Sequence, residues 1–585
     1  MKKRILFVGE ASFLSTGFST YYRELIPRLA ATNKYEICEI GSYARSDDPR
    51  VSSFINNRWK FYGTMPTTQE EAIEFNKTST HPRDNGSNIN QFGAGIFDKV
   101  CAEFKPDIVI AIRDNWMDNF ILRSPFRPWF KLLWMACCDA LPQSEDWIHD
   151  YENCDLMMAY SDFGIHTLKT QSKKIKLFPT PMRPGVDLDI FKPMDKAAIR
   201  QEFVLNPEIP IIGAVYRNQS RKLVLDLIDS FALMKNKYRG EKQADKSALL
   251  LHTIWPDNMY SFNYPRHIMR LQAYDWMPNH FKGIKDSVLQ TLMCHSCGKK
   301  SVTFAMNLYN RPINNGVIYL SCMWCGQNTA TGPTTGTGVE REDLAKIYNL
   351  MDLYVQCTNC EGDGMPINEA KACGVPTIVT DYSAMSEKGR YPSEYKHIDR
   401  TKPYTIHEGG DIINVKQLRH EPETGCLRAI PDIEHLADQM FKYISNKNLL
   451  SSTAAAARKC AEDNYNWNNL YKQWEYVLDN VLAKERAKTW ESQITVVSKP
   501  KSTIIPDGLD NSSFISWLYF NILGYNAVDP VGAKMWLTHL DSGVSRDIIY
   551  QQFAQIANQQ ETAEQARAKL LIGEKTINQN IQEWL

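Results

Sequence analysis

The stretch DLYVQCTNCEGDGMPINEAKACGVPTIVTDYSAMSE, residues 352–387, constrains the fold more than any other part of the chain. Leu353–Val355 is a short apolar run that predicts a buried strand. Gly362 and Gly364 open the loop that follows, where the backbone can approach a ligand closely. Pro366 stands at a natural first helical position, and residues 368–373 continue the helix. Gly374 and Pro376 end it, and Thr377–Thr380 predict the next strand. A glycine loop that feeds a helix N-terminus presents unpaired N–H groups and a positive dipole end to an anion. Glu361 and Glu369 bracket the loop, with seven residues between them. A carboxylate facing a phosphate is unfavourable, so both are expected to hold hydroxyls of a ribose or another sugar. The segment predicts a site for a sugar attached to a phosphate.

The order of strand, E-G-x-G-x-P-x-x-E-A, small helix, G-x-P and strand resembles the signature of retaining GT-B glycosyltransferases, glycosyltransferase family 4 in particular. The resemblance implies an α/β fold in which two Rossmann-like domains face a cleft. It also implies that Glu369 binds the ribose of a nucleotide-sugar donor and that Glu361 sits near the transferred sugar. The backbone of Gly362, Asp363, Gly364 and Met365, with Pro366 at the helix start, would hold the sugar's hydroxyls. Asp363 departs from the pattern, because an aromatic or apolar residue is usual there.

At 585 residues the chain has room for three or more domains. Lys+Arg and Asp+Glu stand at 67 each, so the overall charge predicts no polyanionic partner, although local basic surfaces are still allowed. The fourteen cysteines are unevenly spaced, and Cys38, Cys137, Cys138 and Cys373 lie in apolar runs. That is the pattern of free thiols in a reducing compartment. The start, MKKRILFVGEAS, has too short an apolar core for a signal peptide, and no segment is long enough to span a membrane. A soluble cytoplasmic protein is expected.

Residues 1–185 are expected to form the first Rossmann-like domain, on the acceptor side. Ile5–Val8 is a strand, a glycine-bearing turn follows, and Tyr21–Leu29 has helical apolar spacing. In the family this loop reaches towards the donor's phosphates, which assigns Gly17 and Phe18 to donor binding. Further strands are expected at Ile37–Ile40, Ile108–Ile112, Leu132–Ala136 and Leu156–Tyr160, with 64–95 as a long polar surface loop. The family usually ends the third of these with a histidine facing the reacting sugar, whereas this chain has Cys138 and Asp139. Two readings fit Asp139: a carboxylate that replaces the histidine and stabilises positive charge at the anomeric carbon, or a loop cap.

Residues 183–193, RPGVDLDIFKP, resemble the family's crossover into the second, donor domain at 186–464. Asp187 and Asp189 belong to that linker, and no catalytic divalent metal is expected. After the strand Ile211–Val215, Arg217 and Lys222 match the family's basic pair that grips the donor diphosphate. An insertion at about 258–337 carries Cys294-x-x-Cys297 and Cys322-x-x-Cys325, with 24 residues between the two knuckles. Four thiolates at that spacing suit tetrahedral Zn²⁺. The zinc ribbon is either a structural staple or a nucleic-acid contact, since Arg266, Arg270, Lys282, Lys285, Lys299 and Lys300 accompany Trp276, Phe281 and Trp324. Residues 433–446 and 465–485 read as helices. The second should cross back onto the first domain through Trp467, Tyr471 and Trp474. A linker at 486–508 leads to a helical accessory domain at 509–585, whose Leu518-Tyr519, Trp536 and Leu540 resemble a domain of unknown function, the 4214 family.

Together these features predict a retaining glycosyltransferase using a UDP-, GDP- or ADP-sugar, with Asp139, Glu361, Arg217 and Lys222 at the reacting centre. The acceptor is a saccharide or a protein, or else a hydroxymethylated pyrimidine of DNA. A non-catalytic sugar-nucleotide-binding module is the remaining reading.

Overall fold

The computed structural model describes residues 2–256, 261–273, 284–334, 339–389, 409–422, 424–481, 490, 505, 508–523 and 530–557. Trp276, Phe281, Lys282 and most of the 486–508 linker lie outside the described residues. The chain divides into two compact units. One comprises Met1–Gly95, Pro106–Arg123 and Phe130–Glu485, and the other Ile96–Lys105, Ser124–Trp129 and Arg486–Leu585.

The first unit contains two large sheets, one wholly and one mainly parallel. In the N-terminal lobe the strands are β1 (Lys3–Glu10), β2 (Tyr35–Arg45), β3 (Lys60–Met65), β4 (Ile108–Ala111), β5 (Lys131–Ala136) and β6 (Leu156–Ala159), arranged in the order β3-β2-β1-β4-β5-β6. Every pairing in this sheet is parallel. The order reverses between β1 and β4, and in such sheets ligands bind beyond the carboxyl ends of the strands at the reversal. Runs such as Ile108–Ala111 are wholly buried because helices cover both faces.

The second lobe has β7 (Ile211–Val215), β8 (Ala248–His252), β9 (Val288–Cys294), β10 (Lys300–Phe304), β11 (Ala330–Thr331), β12 (Leu353–Gln356), β13 (Thr377–Thr380) and β14 (Gly410–Ile413). Their order is β10-β9-β8-β7-β12-β13-β14, with β11 on β9. The cysteine-bearing insertion is thus built into the lobe. Its β9 pairs in parallel with β8 and ends on Cys294, and β10 and β11 add to it antiparallel. Buried Val288, Leu289 and Leu292 explain why this segment joins the core sheet.

One local reading changes. Residues 64–95 are not a featureless loop. They contain the helix Gln69–Phe75, started by a Thr68–Glu71 capping box, and a short turn that buries Phe92. A hairpin of β15 (Val415–His420) and β16 (Leu427–Pro431) stands apart from both large sheets.

The helix Trp467–Tyr476 places Trp467 and Trp474 in the N-terminal lobe's core. Trp474 Nε1 donates to the Tyr21 hydroxyl at 2.8 Å, and the Trp467 ring meets Tyr21 edge-on at 5.0 Å. In the second unit, the helices Asn511–Asn521, Pro530–Asp541 and 546–557 bury Phe514, Leu518, Leu540 and Phe553 in a core of their own. Replacing Trp474 with alanine removes a buried aromatic and the bond it donates to the Tyr21 hydroxyl, which keeps only Met182 O as its acceptor. It should cost about 3–5 kcal/mol, read as a lower thermal midpoint of the first unit, and an unchanged midpoint would contradict this docking.

Candidate functional site

The site is built at the turn between β12 and the helix Met365–Ala372. Gly364 adopts φ 80°, a left-handed conformation that opens the helix and that side chains disfavour. A Cβ on Gly362 would come within 2.4 Å of Cys137 Sγ, so the loop after β5 lies directly against this turn. A side chain on Gly17 would meet Met365 Cε at 3.6 Å, which places the N-terminal loop opposite the helix start. Phe18 is half-buried beside it in the first turn of the helix Gly17–Ala31.

Glu361 is the electrostatic centre of the turn and is only 6% exposed. One carboxylate oxygen pairs with Lys222 Nζ and accepts from Gln356 Nε2 at 2.8 Å. The other pairs with Arg221 Nη1 at 3.2 Å. Burial opposes ionisation of this acid, but the charges of Lys222 and Arg221 outweigh it and hold the carboxyl at about 2. The sequence couples Lys222 with Arg217, whereas the guanidinium that joins Lys222 at Glu361 is that of Arg221. Arg217 is half-buried in the loop after β7. Three cations fall within six residues here, and only the turn Ser220–Lys222 decides which of them faces Glu361.

Asp363 has a structural partner that accounts for its departure from the family pattern. Lys388 Nζ pairs with it at 2.8 Å, Asn368 Nδ2 donates to it at 3.0 Å, and Lys388 also donates to Asn368 Oδ1 at 2.7 Å. This buried triad anchors the glycine loop to the first turn of its own helix and to the segment after β13. Glu369, one helical turn further on, accepts from the Tyr348 hydroxyl at 2.7 Å. Burial raises its carboxyl to about 7, against the Tyr348 hydrogen bond and the charge of Arg341. Arg341 in turn pairs with Glu24 of the N-terminal lobe at 2.6 Å.

Asp139 faces the same turn from the end of β5. It pairs with Arg428 Nη1 at 2.9 Å and accepts from Cys360 Sγ at 3.2 Å. Arg428 comes from β16, and its other nitrogen holds Glu421 at 2.9 Å. The hairpin is fixed across the two lobes, since Leu427 N donates to Leu141 O at 2.8 Å and the Tyr382 hydroxyl donates to Leu427 O at 2.6 Å. Sequence reasoning missed Arg428 and also Asp114, at the start of the helix Asn115–Asp118. Burial, and then the Asp139 charge, raise the Asp114 carboxyl to about 7, with Arg221 opposing. The one available signal for Asp114 was its place just beyond a strand end on the crevice side of the sheet.

A separate metal-ligand set lies in the insertion. The sulfur atoms of Cys294, Cys297, Cys322 and Cys325 all lie within 4.8 Å of one another. Cys294 and Cys325 stand 3.6 Å apart, and Cys297 and Cys322 3.8 Å. A Zn–S bond of about 2.3 Å requires tetrahedral S–S edges of about 3.8 Å, which these two pairs match, so the set fits zinc. Both knuckles close alike, with Gly298 N donating to Cys294 O and Gly326 N to Cys322 O, each at 2.9 Å. Asp187, by contrast, accepts from Asp189 N at 3.1 Å as an ordinary turn.

Residues 335–388, which contain the glycine loop, match the family model for glycosyl transferases group 1. No curated protein matches the chain. Among solved structures, sucrose-phosphate synthase from Thermosynechococcus elongatus is similar with a TM-score of 0.55 at 16% identity, covering 82% of this chain and 100% of that one. HepE from Anabaena, in complex with UDP and glucose, gives 0.50 at 13% identity over 82% and 99%. The N-terminal domain of trehalose-6-phosphate phosphatase from Candida albicans gives 0.50 at 12% over 82% and 97%. At these identities the likeness shows the fold, the GT-B arrangement of two Rossmann-like lobes.

The raised Glu369 carboxyl makes a signed prediction. The folded group titrates near 7 and the unfolded one near 4.5, so the folded state keeps an extra proton in that window and loses stability as pH rises through it. Glu369→Gln should therefore match the wild type at pH 4 and exceed it by about 1–3 kcal/mol at pH 8. Denaturant midpoints at the two pH values check this, and equal midpoints at pH 8 would contradict it.

Proposed function

We propose that the chain is a retaining glycosyltransferase that moves a sugar from a nucleotide-sugar donor onto a hydroxyl of a polar acceptor, a saccharide or a protein. The observation that carries this reading is the convergence of Arg221, Lys222, Glu361 and Glu369 on one glycine turn at a helix N-terminus. Gly17 and Asp139 approach the same turn from the other lobe.

The donor's diphosphate would rest on the N-terminus of Met365–Ala372, with Arg221 and Lys222 on it and Arg217 beside the same loop. Negative charge grows on the diphosphate as the bond to the sugar breaks, and each charge-assisted hydrogen bond to it contributes about 1.5–3 kcal/mol. Glu369 would take the ribose hydroxyls. Glu361 and the Gly362–Met365 backbone, with Pro366 at the helix start, would hold the sugar. Asp139 would stabilise positive charge at the anomeric carbon. In this retaining reading the leaving phosphate takes the acceptor's proton on the same face of the sugar, so neither a protein nucleophile nor a catalytic divalent metal is required.

HepE's complex with UDP and glucose makes UDP-sugars the first donors to test, ahead of GDP- and ADP-sugars. None of the fourteen cysteines is in a disulfide, which suits a cytoplasmic protein. Among the described residues no helix is long and apolar enough to cross a membrane. Cys294, Cys297, Cys322 and Cys325 are assigned to a structural zinc.

One observation favours a second acceptor, a hydroxymethylated pyrimidine of DNA. On the cysteine insertion Lys299 Nζ lies 4.6 Å over the Trp324 ring, and Trp324, Met323 and Tyr319 are exposed. A cation beside an aromatic platform is a surface on which bases stack.

A donor-hydrolysis screen tests the reading. Nucleotide release from a UDP-, GDP- or ADP-sugar without DNA supports the saccharide or protein acceptor, and release only with hydroxymethylated duplex supports the second. Release from no donor under either condition leaves a non-catalytic binding module. For the metal, purified protein should carry one zinc per chain, and chelation at neutral pH should lower the melting midpoint. A zinc-free protein with the same midpoint would exclude the structural role.

A further inference from the structure

Glu361 is a permanent anion inside a site built to bind another anion. Its two oxygens already engage Lys222, Arg221 and Gln356. The side chains of Lys222 and Glu361 are only 10% and 8% exposed, so water screens the pair little. The helix N-terminus opens four residues later at Met365. A diphosphate arriving there would meet two cations already engaged, one of their two positive charges offset, and a like charge beside them, which costs affinity.

We propose that Glu361 is a built-in stand-in for the donor's diphosphate, holding Lys222 and Arg221 until the donor takes them over. This rests on the donor-site reading above and assigns that site its order of events. The diphosphate displaces the carboxylate from the two cations, and the freed carboxylate turns to the sugar's hydroxyls. Once the sugar has left, Glu361 has no hydroxyl partner and returns to Lys222 and Arg221, expelling the nucleoside diphosphate. The low titration of Glu361, at about 2, keeps it charged throughout the working pH range, so the competition is always present. Gln356 serves the exchange as a neutral donor that steadies the carboxylate in its resting position.

The account makes an unusual demand of one substitution. Glu361→Gln keeps the shape and the Gln356 contact, removes the competing charge and leaves the cations to the ligand. It should bind UDP, or whichever of UDP, GDP and ADP the wild type binds, about tenfold more tightly. Its turnover should fall and its product release should slow. A damaged fold would weaken binding, so tighter binding separates the stand-in role from a merely structural one.

Glu361→Asp retracts the charge by one methylene and covers the case in which the glutamine variant does not fold, with intermediate tightening expected. The readouts are calorimetric affinity and the rate of nucleotide release. Wild-type binding with unchanged or weaker binding by both variants would overturn the stand-in role alone. Absence of nucleoside diphosphate binding in the wild type would overturn the donor-site reading and this inference with it.

Discussion

The arrangement of the first unit depends on keeping a cluster of charges buried at one glycine turn. Burying an unpaired charge is far more costly than burying a satisfied pair, so each ion there dictates the placement of another. Glu361 demands Lys222 and Arg221, which fixes the loop after β7 against the loop after β12. Asp363 demands Lys388, which fixes the turn to the segment after β13. Asp139 takes Arg428, which draws the β15–β16 hairpin over the loop after β5. Charge pairing thus places side chains from five separate stretches at the carboxyl ends of the strands, where a parallel sheet leaves its crevice.

The same economy explains why the lobes meet where they do. The Arg341–Glu24 pair, the Arg183–Glu387 contact at 3.2 Å and the Leu427–Leu141 backbone bond all cross from one lobe to the other. Polar inter-lobe contacts of this kind are exchangeable, since water or a ligand can take the place of either partner. A cleft closed by hydrogen bonds and ion pairs is one that can open, as the proposed donor site requires.

Much of this was legible in the sequence because it depends on local rules. Apolar runs marked β1, β4, β5, β6, β7, β12 and β13, and glycine and proline punctuation marked the turn at 361–366. Cysteine spacing marked the metal set, because each knuckle is a local structure. What stayed hidden depends on distant partners. Arg428 is the one charged residue of β16, LRAIP, and its meaning comes from Asp139, 289 positions earlier. Arg221 differs from its neighbours Arg217 and Lys222 only through the turn that aims it. Asp363 looked anomalous because Lys388, twenty-five residues on, is invisible to a reading of the loop alone.

The central claim is that the turn of Arg221, Lys222, Glu361 and the Met365–Ala372 N-terminus is a diphosphate site. A crystal structure of the protein with UDP bound tests this most directly. The account predicts the diphosphate at that helix N-terminus, Arg221 and Lys222 turned onto its oxygens, and the ribose within reach of Glu369. A nucleotide bound elsewhere, with the Glu361 ion pairs intact, would contradict it.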